Sequence, residues 1–349
     1  MENNQNNQHK RRVRYSGTHP KNFSERYKEH DPEKYADTIQ KVIAKGSTPA
    51  GMHLSIMVEE ILEVLDIKSG EVGLDATLGY GGHTKVMLEK LGGKGHIYGL
   101  DVDGIEMEKT RARLKSFGFG EDLFTAHNIN FADVDKLGFS KKLNFLLADF
   151  GVSSMQIDDP SRGFSYKKDG PLDLRLNSQG GISASERINS ISQYELQNML
   201  IDNSDEPYAK EISISICRRI KRVGEIKTTK DLKEAVADAL AFLPKGQRVE
   251  VIKKSSQRTF QALRIDVNNE FEVISQLLEK LPNIMESGGR IAILTFHSGE
   301  DRLVKKSFKE LYNQGVYKKV AREVIRASKE ECALNPRAKS AKLRWAIVS

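Results

Sequence analysis

The residues of this chain that could do chemistry begin in LDATLGYGGHT, Leu74 to Thr84. There Gly79, Gly81, Gly82 and His83 stand between a strand-like apolar run and a helical one. Glycines at that place let backbone approach a ligand, and the N–H groups of the following helix face it. A dinucleotide loop reads GxGxxG, its last glycine seating the helix beside a pyrophosphate. Here the run is GxGGHT, and Asp75 lies in its approach. A carboxylate is an awkward neighbour for pyrophosphate but a tolerable one for a cation or an amine. Asp101, in GLDVDG, follows Gly79 by 22 positions, close to the roughly 20 expected of an acid that binds ribose hydroxyls. Asp101 could instead cap the next helix, although Asp103 is the better cap candidate. Loop and acid together fit a nucleoside carrying a positive group, S-adenosylmethionine. Further on, Asp149 ends the apolar run LNFLLAD, where an unpaired carboxylate is costly unless a ligand or a helix end meets it.

Five short apolar runs must position these residues: 71–77, 96–102, 123–127, 143–150 and 290–298. They alternate with helical segments, which implies parallel strands with helical crossovers and an α/β, doubly wound sheet. Before them, Met57, Val58, Ile61, Leu62 and Leu65 recur at helical spacing. The stretch between the fourth and fifth runs is too long for one crossover and reads as helices. Ile212, Ile216 and Ile220 form one stripe, with Arg218, Arg219, Lys221 and Arg222 on other faces. Thr228 stands as a cap before a second stripe, Leu232, Val236 and Leu240. The expected organisation is a polar basic tail over 1–45, a core over 46–159 and 256–349, and an inserted helical subdomain over 160–255.

Net charge is +7 over 349 residues, which favours a polyanionic partner such as nucleic acid. No apolar run is long enough to span a bilayer, and the polar start has no signal-peptide character, so a cytoplasmic protein is expected. Cys217 and Cys332 stand alone, suggesting neither a disulfide framework nor a metal site. The HxE and PCxxC ligands of a zinc deaminase are missing.

The run LLADFGVSSMQIDDPSRGFSYKKDGPLDLRLN resembles the bacterial cytosine-N4 methyltransferases of small-subunit ribosomal RNA, the MraW or RsmH family. The resemblance extends to LDATLGYGGHT, to SQRTFQALRIDVNNE, to GGRIAILTFHSGEDRLVK and to NPRAKSAKLR. It implies a Rossmann-like methyltransferase sheet with an inserted helical subdomain. S-adenosylmethionine would be the donor, and the acceptor the N4 amine of a cytidine near the decoding site, in RNA or in the assembled small subunit. Carried over residue by residue, the cofactor contacts fall on Gly81, Gly82, His83, Asp101, Phe131, Asp149 and Gln156. The family commonly has Leu where this chain has Phe150 and Gly299, and Gly-Glu-Glu-Arg where it has SDEPYAK (204–210).

Each of these residues also has a plain reading. His83 could be an ordinary first-turn residue, Phe131 a core aromatic, Gln156 a surface residue. A flipped base needs aromatic and basic neighbours; Arg162, Phe164, Asp173 and Arg175 are candidates, as are Arg264 and His297. Arg264 could equally pair with Asp266 or Glu270, and Ser298 with Asp301 reads as a capping pair. Asp149, or backbone carbonyls of 150–154, could accept a hydrogen bond from the target amine. An NAD-dependent oxidoreductase and a non-catalytic RNA-binding assembly factor are the rival readings, with a paralogue acting on another RNA position as a variant of the first. Oligomeric state is left open.

Overall fold

The computed structural model describes residues 55–349. The basic tail expected over 1–45 lies outside them. In chain order the elements are α1 (Val58–Leu65), β1 (Val72–Asp75), α2 (Gly82–Leu91), β2 (His96–Asp101), α3 (Gly104–Ser116), β3 (Phe124–Asn128), β4 (Leu143–Asp149) and α4 (Ser154–Asp158). Then come α5 (Ala184–Ser190), α6 (Gln193–Ser204), α7 (Ala209–Val223), α8 (Thr229–Ala239), α9 (Lys245–Val267), α10 (Glu270–Ile284) and β5 (Met285–Thr295). The chain closes with α11 (Ser298–Asn313), β6 (Tyr317–Val320), α12 (Lys329–Leu334) and β7 (Lys342–Val348).

The alternation within β4 shows how the sheet is covered. Phe145 and Leu147 face a cluster built with Ile61, Leu65, Met87 and Leu114 of α1, α2 and α3. Leu146 and Ala148 face the opposite cluster, with Ile274, Leu277 and Val304 of α10 and α11. A strand buried on both faces is what a parallel sheet requires. The order is β3-β2-β1-β4-β5-β7-β6, and β1 to β5 are parallel. Winding runs outward from β1 to β3, then returns to β4 beside β1. Ligands in such sheets sit at the carboxyl ends of the strands at that reversal.

The sheet has seven strands where the sequence suggested five. Of the two others, β7 adds antiparallel to β5, and β6 adds antiparallel to β7 at the edge. β7 reads KLRWAIV, and its charged residues hide the alternation. Arg344, only 5% exposed, is kept inside by Asp301, whose Oδ1 accepts from its Nε at 2.6 Å. That pairing also overturns the expected Ser298–Asp301 cap. The cap of α11 is His297, whose ring accepts from Glu300 N, with the Glu300 side chain reaching back to His297 N.

Helices α5 to α9 share a core of their own, containing Leu172, Ile188, Leu200, Ile212, Ile216, Leu232, Val236, Phe260 and Leu263. Both apolar stripes of the sequence point into it. Thr228 caps α8 in a reciprocal box with Asp231. α9 is continuous over 23 residues, so residues on either side of position 255 lie on one helix.

Candidate functional site

Three carboxylates end three adjacent strands: Asp75 on β1, Asp101 on β2 and Asp149 on β4. The loop between β1 and α2 lies over them and is pinned from below. Asp101 Oδ2 accepts from Gly79 N at 2.8 Å, Gly79 O accepts from Thr110 Oγ1 at 2.7 Å, and Tyr80 O accepts from Arg113 at 2.7 Å. Gly81 is the N-cap of α2 at φ 71°, and a Cβ there would meet Thr110 Cγ2 at 2.7 Å. A side chain at Gly82 would collide with Ser55, so this glycine makes room for the chain entering α1. Gly79, at φ 47°, has only Thr77 O within 4 Å of such an atom, at 3.8 Å. The open side of the loop is therefore at Gly79.

Asp75 is 1% exposed. Its oxygens accept from Thr84 Oγ1 at 2.6 Å and from Thr77 N at 3.1 Å; burial nevertheless raises its pKa. Thr77 Oγ1 accepts from Asp149 N at 2.7 Å, tying the ends of β1 and β4 together. Asp149 keeps its side chain 28% exposed, 3.7 Å from His83 Nδ1. Burial pushes its carboxyl up to about 6 against the opposing pull of His83. His83 Nε2 lies 2.9 Å from Ile56 O; a carbonyl can only accept, so that nitrogen carries a proton. Asp101 is also pushed up to about 6, mainly by burial, against the backbone N–H groups of Asp103 and Gly79.

Phe131 opens a 3-10 turn after β3, its ring centroid 5.5 Å from that of Phe150. The departure at Phe150 thus touches an expected cofactor contact. Gln156 spends its side-chain oxygen on a capping box, accepting from Ser153 N at 2.9 Å, which leaves its amide nitrogen available.

The residues offered as RNA contacts prove largely occupied by one another. Arg175 grips Asp173 with Nε and Nη2, both at 2.8 Å; although burial opposes it, this holds the Asp173 carboxyl below its usual range. Arg162 donates to Asp103 Oδ2 at 3.1 Å and lies over the Phe164 ring. Arg264 holds Glu270 at 2.7 and 2.9 Å, while Asp266 pairs with Arg187. Glu270, His297 and Glu300 bring ligand atoms within 4.8 Å of one another. The guanidinium of Arg264, 4.0 Å from Glu300, already supplies a cation there, and His297 Nε2 stands 3.0 Å from Glu300 Oε1. Gly299 gives up its side chain to Phe271, whose Cζ would lie 2.5 Å from a Cβ.

Sequence reasoning missed Thr77, Thr84, Thr110 and Arg113 as the framework of the loop. Thr110 and Arg113, spaced three apart on α3, were a legible signal, because residues so spaced share a helix face.

The model of the MraW methylase family matches residues 50–348. The "Ribosomal RNA small subunit methyltransferase H 1" of Lachnoclostridium phytofermentans is 63% identical over 97% of this chain and 93% of its own length. The protein "H 2" of Alkaliphilus metalliredigens is 59% identical over 97% of each. The "Ribosomal RNA small subunit methyltransferase H" of Koribacter versatilis is 37% identical over 84% of this chain and 93% of its own length. A solved rRNA methylase of Streptococcus thermophilus is 12% identical at a TM-score of 0.37, over 83% of this chain and 93% of that one, so membership rests on the sequence relatives.

Proposed function

The chain belongs to the MraW methylase family, and from that membership we propose that it moves a methyl group from S-adenosylmethionine to the N4 amine of a cytidine in small-subunit ribosomal RNA, near the decoding site. The observation that carries this reading is the set of carboxylates at the sheet's reversal, under a loop whose open side is Gly79. The names of the relatives support the RNA, and the net charge of +7 suits a phosphate-rich partner.

The residues present fit such a donor. Each Asp101 oxygen accepts one backbone N–H, from Gly79 and from Asp103, at 2.8 Å, and a carboxylate oxygen has a further lone pair for a ribose hydroxyl. The carboxyls of Asp101 and Asp149, both pushed up in pKa by burial, gain by meeting a cation. When bound, S-adenosylmethionine supplies an electrophilic methyl carried on a sulfonium. Asp101 holds the ribose, Phe131 lines the base by stacking, and Gly81, Gly82, His83 and Gln156 complete the cradle with backbone and amide groups.

For the acceptor, alignment and exclusion of water dominate, because a cytosine amine is a weak nucleophile. Asp149, or a carbonyl of the loop 150–154, accepts a hydrogen bond from that amine and orients its lone pair. The helical segment over 160–255 contributes the RNA contacts. Among the described residues no helix is long and apolar enough to cross a membrane.

Incubation with labelled S-adenosylmethionine and either ribosomal RNA or small subunits, followed by nucleoside mass analysis, is expected to yield N4-methylcytidine. Its absence from both substrates overturns the reading. A second reading, a paralogue with a different RNA position, is favoured by one observation. The chain is 63% and 59% identical to relatives with numbered names but 37% to one without a number. Mapping the labelled nucleotide by sequencing separates the two.

A further inference from the structure

Arg162 sits where the strand-end acids meet the helical segment. Asp101 Oδ1 accepts from Asp103 N at 2.8 Å. Asp103, 7% exposed, caps α3 with one oxygen, at 3.2 Å from Glu106 N, and gives the other to Arg162 Nη1 at 3.1 Å. The opposite edge of the guanidinium donates through Nη2 to the carbonyls of Arg175 at 3.0 Å and Leu176 at 2.8 Å. The Arg162 carbonyl in turn accepts from Leu174 N at 3.1 Å. Leu174 is held at φ 62°, a conformation that bulky residues adopt only when their surroundings over-determine it. Asn268 of the α9 C-cap completes the hold, donating to Leu174 O and accepting from Leu176 N, each at 2.8 Å. The exposed loop 177–182 continues from this clamp, and Arg175 reaches over it to the carbonyls of Gly180 and Gly181.

One side chain therefore joins the acid pair Asp101–Asp103 to the backbone that launches an exposed loop of the helical segment. We propose that Arg162 is a positioning residue that couples occupancy of the cofactor cradle to the conformation of the 174–182 loop, so that donor and RNA bind cooperatively. The proposal rests on the assignment of Asp101 to the cofactor and of the helical segment to RNA. Two buried carboxylates two residues apart repel, and Arg162 neutralises the second. Without it, Asp103 keeps its cap on α3 but is left buried without a counter-charge, and the loop loses two of its anchors. A lysine can meet Asp103 as a point charge but cannot fork to two carbonyls at once.

The test measures binding without turnover. The affinity of small ribosomal subunits is determined with and without saturating S-adenosylhomocysteine, for the wild-type chain and for Arg162→Lys, Arg162→Met and Asp103→Asn. S-adenosylhomocysteine binding alone is followed by calorimetry. Coupling between two sites is reciprocal and spans about 5- to 150-fold when present, so wild-type subunit affinity is expected to rise at least about fivefold with S-adenosylhomocysteine. Arg162→Lys should keep S-adenosylhomocysteine affinity within about threefold and reduce the coupling below twofold; Arg162→Met and Asp103→Asn should weaken both. A purely structural role for Arg162 predicts a lowered melting temperature and an unchanged coupling ratio in the folded lysine variant, and that outcome overturns the proposal, as does a wild type without coupling. Failure of wild type to bind S-adenosylhomocysteine at all overturns instead the reading on which the proposal stands.

Discussion

A carboxylate withdrawn from water titrates out of its usual range, and Asp101 does so. Its folded pKa of about 6 stands above the ordinary value of 3.8, so between those values the folded state binds more protons than the unfolded one. Stability through this group therefore falls as pH rises from 4 to 6 and stays low at pH 7. Asp101→Asn removes the titration but also replaces one acceptor oxygen with an amide. The expected outcome is a variant at least as stable as wild type at pH 7 by denaturant titration, with wild type gaining on it steadily as pH is lowered through 6 toward 4. The same substitution should weaken S-adenosylmethionine binding about tenfold or more, as loss of a charged hydrogen bond worth roughly 1.5–3 kcal/mol implies. Wild-type affinity should itself decline below pH about 6. A pH-independent stability difference would place the strain elsewhere, for instance at Asp75.

Elements turn such residues into surfaces, and α7 shows the division of labour. Its Ile212 and Ile216 are fully buried because they recur every four residues along one face. Arg219 is spent on α8, 2.6 Å from Glu234 and 3.7 Å from Asp231 and Asp238. Arg218 and Arg222 instead stand exposed, lining a cleft of about 420 Å³ with Ser215 and Val223. Cations at a helix C-terminus answer its dipole for about 0.3–1 kcal/mol, and that alone explains one of them. If the pair also meets RNA phosphate, Arg218→Gln/Arg222→Gln should lower RNA affinity and flatten its dependence on salt. At about 0.7–0.9 of log–log slope per phosphate contact, the slope should fall by roughly 1.5. Calorimetric binding of S-adenosylhomocysteine should not change. An unaltered slope leaves Arg222 to the helix dipole and Arg218 to a solvated helix face.

At the scale of the molecule, what was legible in the sequence is what short-range periodicity encodes. The five parallel strands, the α1 stripe, the stripes of α7 and α8 and the Asp103 and Thr228 caps could be read because each uses neighbours within a few positions. β7 could not, because Arg344 hides its burial behind Asp301, 43 residues away; nor could the true cap of α11, because histidine is rarely the acceptor there. At the site, residue types were legible and their partners were not. Nothing local says that Arg162 faces Asp103, 59 residues away, or that Gly82 yields to Ser55. The pairs Gly79–Asp101, Thr77–Asp149 and Thr84–Asp75 join the ends of β1, β2 and β4 through one small patch. A ligand bound there bridges elements whose apolar residues reach both cores of the sheet, so its binding energy must appear as global stability. At one hundred times its dissociation constant, S-adenosylhomocysteine should add about 2.7 kcal/mol and raise the melting temperature by about 4 °C. Hydrogen exchange should slow at the carboxyl ends of β1, β2 and β4 and along the first turn of α2, more than at the edge strand β6. Slowing confined to the loop 77–82, with no change in melting temperature, would mean that the ligand is held by the loop alone and that the three strand-end acids serve the fold rather than the cofactor.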